Sequence, residues 1–249
     1  MRSRNHTLLA ATATLLLAAC SDSSNNNAQE TPVADQQPDV TPTVMFAVTV
    51  TNLTNAQPLS PVGVVAHNDG YAVFSVGAPA TVGLEDLAEG GSNAALLAEA
   101  DASASVVGTA SGAGPIPPAG SETVMIEAEV PFGTLRDLYI STGTMLVNTN
   151  DAITVLNGLS VEDMLVGDVR SVRTIAYDAG TEANSEEAIH IPGPAGGGEG
   201  FNAARDDVAD RVAMHPGVVG QDDGFMTSNL NNQHKFDNPV AMVRIERIN

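Results

Sequence analysis

Asp178, Glu182 and Asn184 fall within one short stretch, Thr174-Ile175-Ala176-Tyr177-Asp178-Ala179-Gly180-Thr181-Glu182-Ala183-Asn184. Two carboxylates and a side-chain amide in one loop offer oxygens to a hard cation such as calcium. The alternating run 170–177 reads as the strand that delivers them. Asp178-Ala179-Gly180 reads as the turn that ends it, with Asp first and Gly relieving the backbone. Asp-x-Gly-Thr is also an ordinary turn that needs no metal, and both readings are carried forward. Other chemistry is thinly supplied. The chain has no Gly-x-Ser-x-Gly elbow, no His-Glu-x-x-His pair and no P-loop. Nothing local supports a triad of Ser60, His67 and a distant Asp. His67, His190, His215 and His234 are scattered rather than set at metal-ligand spacing, although His190 lies beside the acidic loop. Asp206-Asp207 and Asp222-Asp223 read as solvated turns, and Glu85 with Glu89 as an exposed helix face. A cell-surface hydrolase using loop carboxylates as general acid and base is the alternative to a binding protein.

Length and charge narrow the setting. The 249 residues suffice for one large β domain or two small ones. Ten basic residues against 30 acidic ones give a net charge of −20. That field repels nucleic acid and anionic membranes. There is no Trp and aromatics are 4%, so a stacking platform for sugars or bases is poorly supplied.

The N-terminus reads as a processing signal. Arg2 and Arg4 precede a short apolar run over residues 8–19, which is too short to span a bilayer stably. Leu17-Ala18-Ala19-Cys20 resembles the bacterial lipobox. The resemblance implies cleavage before Cys20 and lipid attachment to it, with outer membrane or cell surface favoured over inner membrane by Ser21. The expected partition is a signal peptide over 1–19, a disordered tether over 20–43 and a folded domain over 44–249. Residues 21–43 hold almost no large apolar side chain to offset the entropy of ordering. Cys20 is the sole cysteine, so the domain must be held by its core, helped by a metal if one binds.

Within the domain, Phe46, Val48 and Val50 alternate with Ala47, Thr49 and Thr51, as a half-buried strand does. Strands are also predicted over 62–67, 124–130, 138–147 and 240–248. Residues 71–76 continue the second strand after a hairpin turn at Asn68-Asp69-Gly70. Short helices are predicted over 84–89 and 93–100, and a third over 201–214 with Ala204, Val208 and Val212 inward. Residues 108–120, rich in Gly, Ala and Pro, read as a long loop, and Asn157-Gly158 as a turn. Many short strands joined by long polar loops argue an all-β sandwich.

Taken in order, these segments resemble the spondin domain, found in F-spondin, mindin and bacterial exported proteins. Phe46-Ala47-Val48-Thr49-Val50-Thr51-Asn52-Leu53-Thr54 resembles its opening strand and Val243-Arg244-Ile245-Glu246-Arg247-Ile248 its last. Gly77-Ala78-Pro79-Ala80 through Ala88-Glu89-Gly90-Gly91 resembles the helix entry. Asn148-Thr149-Asn150-Asp151 resembles a loop that carries Pro-Asp in animal members. Tyr177-Asp178-Ala179-Gly180-Thr181-Glu182 resembles the Trp-Asp-Ala-Gly-Thr-Asp hallmark, with Tyr177 and Glu182 as departures; the family's cysteines are also absent. The resemblance implies a C2-like, eight-stranded antiparallel β-sandwich with one or two short helices and long loops. It further implies a calcium ion held by Asp151, Asp178 and Glu182, with the Ala179 carbonyl as a further ligand. The function expected on this basis is non-enzymatic: a calcium-binding module for adhesion to an extracellular protein or glycan. It would touch the membrane only through the Cys20 lipid and would not bind nucleic acid.

Overall fold

The computed structural model describes residues 42–130, 135–204 and 209–249. The leader, Cys20, the tether to residue 41, and Asp206, Asp207 and Val208 lie outside the described residues. Val40–Asn249 forms one compact unit. Its strands are β1 Thr43–Asn52, β2 Gly63–His67, β3 Val106–Ser111, β4 Ser121–Glu129, β5 Tyr139–Met145, β6 Ala152–Ser160, β7 Val169–Thr174, β8 Ala176–Asp178, β9 Ala213–Met214 and β10 Ala241–Arg247. Two helices, α1 Val82–Gly90 and α2 Ala94–Asp101, fall between β2 and β3.

The strands build two antiparallel sheets, one of four in the order β4-β1-β10-β7 and one of six in the order β3-β2-β5-β6-β8-β9. This is an all-β sandwich. Among the described residues ten strands form it rather than the expected eight; β8 and β9 are short, of three and two residues. The four-stranded sheet follows from alternation. Phe46, Val48 and Val50 face inward beside Val124 and Ile126 of β4 and Val243 and Ile245 of β10, all buried. The intervening residues of β4 meet solvent, which is why its pattern is so clean.

The six-stranded sheet is covered on both faces. One face meets the four-stranded sheet. Against the other, Leu84, Leu87 and Leu96 of the helices pack on Ile153 and Val155 of β6. Thr81 starts α1 by accepting the Leu84 N–H at 3.2 Å, and Gly91, at φ +69, ends it. Glu85 and Glu89 are buried rather than on an exposed face. The segment after Gly200 lies over the end of α1, and the Asn202 N–H donates to Glu89 Oε2 at 2.9 Å.

Several expectations are corrected. Residues 108–120 begin as strand, because β3 continues to Ser111. Gly108 is needed there: a Cβ would lie 2.1 Å from the Glu127 carbonyl oxygen, where β3 closes against β4. Residues 71–76 form no strand, so Asn68-Asp69-Gly70 makes no hairpin. Instead the Val73 N–H donates to Asn157 Oδ1 at 2.9 Å, and Asn157 Nδ2 donates to the Phe74 carbonyl at 2.9 Å. Asn157-Gly158, expected as a turn, lies inside β6, with Gly158 at φ +86. Residues 170–177 are two strands in different sheets. Thr154 Oγ1 fixes the crossing through contacts to Thr174 Oγ1 at 2.7 Å and the Ile175 carbonyl at 3.0 Å. The described parts of 201–214 are not helical; Val212 bonds the backbone at Gly77 and Ala78, and β9 follows.

The Gly108 contact is testable. Gly108→Ala is expected to lower unfolding free energy in urea by about 1–3 kcal/mol, because backbone must move to admit the methyl. Gly114→Ala, where a Cβ meets nothing within 4 Å, serves as the neutral control.

Candidate metal site

One pole of the sandwich gathers the ends of β1, β5 and β8 and the start of β6. The loop 146–151 joins β5 to β6 there. Asp178 ends β8 and pairs with Ala152, which places it beside Asp151 although 27 residues separate them (178 − 151).

Asp151 is fully buried and clamps the turn over 178–182. Its carbonyl accepts the Ala179 N–H at 3.2 Å. Its Oδ2 accepts the N–H groups of Thr181 at 2.9 Å and Glu182 at 3.2 Å, and the Thr181 hydroxyl at 3.4 Å. Its Oδ1 has no partner. Burial, then the negative charge of Asp178, push the Asp151 carboxyl up to about 7; the two backbone N–H donors oppose this, and Glu89 adds to it.

Asp178 is half-buried. Its Oδ1 accepts the Gly180 N–H at 2.9 Å, so it does cap its own turn, and its Oδ2 accepts Asn184 Nδ2 at 2.5 Å. Gly180 sits at φ +71, and a Cβ there would lie 2.4 Å from the Arg211 carbonyl oxygen. Glu182 is buried and lines the same cleft as Asp178. Its Oε2 accepts Asn150 Nδ2 at 3.4 Å, and its Oε1 lies 3.8 Å from His190 Nδ1. Ala179 is buried beneath the turn. The structure thus sets Asp151 and Asp178 beside each other, with Glu182 on the same cleft and in contact with Asn150 and His190. Among the described residues, no three Asp, Glu, His or Cys side chains form a ready metal cage. A shallow cleft of about 190 Å³ opens onto the site, lined by Asp178, Gly180, Glu182, Asn184 and Arg211 among others.

Sequence reading missed two residues of this pole. Glu186, in a left-handed conformation at φ +53, is buried. Its carboxylate accepts the Val219 N–H at 2.7 Å, the Gly220 N–H at 2.8 Å and the Ser228 hydroxyl at 2.7 Å. Its own N–H donates to Asn150 Oδ1 at 3.0 Å, joining it to the acidic loop. His215 is buried against Phe236, and its Nδ1 accepts the Gly217 N–H at 2.9 Å. Its proton therefore sits on Nε2, which has no partner. Burial pushes its pKa down, against the opposing charges of Asp178 and Glu186. No signal in the sequence points to either residue, since each acts through segments remote along the chain.

The Ser60–His67 pairing does not form. Ser60 bonds Thr144 and the Met145 N–H, whereas His67 Nε2 accepts the Ser141 hydroxyl at 2.8 Å. Both members of the His67–Ser141 pair are buried. The Asp222-Asp223 turn is present, and Asp223 pairs with Lys235 at 2.6 Å. An open cleft of about 410 Å³ beside it carries Asp223, Lys235 and Asp237, and none of its lining residues is a serine, cysteine or histidine.

No family model matches the chain, and no curated protein is detectably similar to it.

Proposed function

We propose that this chain is an exported, lipid-anchored β-sandwich of the spondin type. In this reading it binds calcium at the Asp151–Asp178 pole and serves as a non-enzymatic module for an extracellular protein or glycan. The observation that carries the reading is the Asp151 carboxylate: fully buried, beside a second carboxylate, with one oxygen lacking any partner. Carboxylates held so close repel unless a proton or a cation neutralises them, and a calcium ion takes carboxylate and carbonyl oxygens readily. Asp151 Oδ1 and the Asp178 carboxylate would supply protein oxygens, and the open cleft admits water for the rest. Glu182, on the same cleft, would add a third carboxylate. Export and the Cys20 anchor rest on the leader and the lipobox order.

With few protein ligands, affinity should be weak, with Kd about 10⁻⁴–10⁻³ M, as in extracellular modules. An ion that binds only the folded state raises Tm by linkage. Asp178→Ala is expected to remove most of the calcium-induced rise in Tm while costing little without calcium, because it also relieves repulsion at Asp151. Magnesium should substitute poorly, since it gives up water reluctantly. If Asp178 serves only to cap its turn, the variant will be destabilised equally with and without calcium, and the metal reading fails.

A further inference from the structure

The opposite pole carries a different feature. β6 runs from Ala152, beside the candidate metal site, to Ser160, so its nine residues span about 30 Å. The chain then forms a tip before β7. There the Asp168 N–H donates to the Leu165 carbonyl at 2.9 Å, and Gly167 stands at φ +88, as the third residue of a type II turn requires. The Leu165 N–H donates back to Asp168 Oδ2 at 2.8 Å. The tip is stapled to the last strand. The Gly167 N–H donates to the Arg247 carbonyl at 2.8 Å, the Arg247 N–H to the Asp168 carbonyl at 3.1 Å, and Arg247 Nη1 to the Met164 carbonyl at 2.7 Å. This fixed turn holds Leu165 and Val166 out in solvent, 70% and 61% exposed, beside exposed Val169 and Ile248. Exposed apolar side chains presented on a fixed turn mark an interaction surface.

We propose that membrane contact is not confined to the Cys20 lipid, as the sequence alone suggests, and that this tip docks shallowly on the surface of a lipid bilayer. The choice of a bilayer comes from where the chain enters. Pro42 and Thr43 lie at this same pole, next to β10, where the Ile248 N–H donates to the Met45 carbonyl at 2.8 Å. Pro42 lies 22 positions after Cys20 (42 − 20), a length that reaches no more than about 80 Å even when fully extended. A lipid on Cys20 would confine the tip to within that reach of a membrane, so that weak burial of two to four aliphatic side chains suffices at the raised local concentration. The surrounding charge selects the surface. Glu162, Asp163 and Asp168 ring the tip; Arg170 is taken up by Asp163 and Arg247 by backbone carbonyls. Docking therefore favours zwitterionic over anionic headgroups. The bilayer assignment rests on the lipid attachment proposed above; the shape of the tip does not.

The chain has a single cysteine and no tryptophan, which makes the test direct. The chain from Cys20 onward, which includes the whole compact unit, is coupled through that thiol to maleimide-lipid vesicles of phosphatidylcholine. Coupling supplies the anchor by hand, so the outcome does not depend on whether cells lipidate Cys20; lipid labelling of Cys20 in an exporting bacterium tests that separately. Leu165→Trp gives the only indole, and Met226→Trp, exposed at the other pole, is the control. The expected result is a blue shift of the indole emission of Leu165→Trp on coupling and loss of about half of it to brominated lipid, as for side chains inserted at the acyl boundary. The control should show neither change. Adding Val166→Glu should abolish both, and anionic phosphatidylglycerol should weaken both. Equal behaviour of the two reporters overturns the proposal. So does a blue shift that grows with protein concentration without vesicles, since the tip would then be covered by a second copy.

Discussion

At pH 8 without calcium, Asp151→Asn is expected to stabilise the protein by as much as about 4 kcal/mol, the value of a carboxyl moved from 3.8 to about 7. The sign follows from proton binding. The folded state holds the Asp151 proton to about 7 whereas the unfolded chain releases it near 3.8. This group's contribution is therefore fully present below about pH 4, falls as pH rises toward 7, and is lost above it. Asn keeps an oxygen for the Thr181 and Glu182 N–H groups and removes the charge that Asp178 opposes. Urea unfolding of both proteins from pH 4 to 8 checks this: their difference should be small at pH 4 and widen upward. Calcium should reverse the order at pH 8, because the wild type gains from the ion and the Asn variant does not. A wild type whose stability is unchanged by calcium at pH 8 would remove the ion from the account and leave only a strained, buried carboxyl.

The second large effect is expected at Glu186. Glu186→Ala strands the buried Gly220 N–H and the partly buried Val219 N–H, and leaves the Ser228 hydroxyl only the Leu230 carbonyl at 3.4 Å. Unsatisfied buried donors are costly, and a loss of about 3–5 kcal/mol is expected. Hydrogen exchange should localise the damage to residues 218–230 and to the Asn150 loop, with β1, β4 and β10 still protected. Glu186→Gln should recover part of the loss, since it keeps one acceptor but turns an amide toward donors. Uniform loss of protection would show instead that the pole is not a separable unit.

How far the sequence could be read depended on whether a residue's partners were near in the chain or wrote a pattern into it. β1, β4 and β10 were legible because each buries one face and wets the other. β3 was not, since the glycine that its closure against β4 demands makes it resemble a loop. Residues 170–177 look like one strand because a passage between sheets needs no turn residue when Thr154 supplies the bonds. Val212 fits a helical stripe with Ala204 and Val208, yet it bonds the Gly77–Ala78 backbone, a tertiary choice that periodicity cannot express. At the site, Asp178 was visible from its turn and Asp151 only through the family resemblance. Glu89, Glu186 and His215 carried no local signal, because each owes its place to a segment remote in the chain.

The separation of the two poles also bears on force. Tension applied between Thr43 and a partner gripping the Asp151 pole would run along β1. That strand is flanked on both sides, over nine registered residues by β4 and seven by β10. Because antiparallel hydrogen bonds lie across the strands, such a pull loads the whole ladder in shear rather than peeling it one bond at a time. A partner that pulled on the edge strand β7 instead would meet a single neighbour and could unzip it. The direction of pull would then decide how long a contact made at that pole survives.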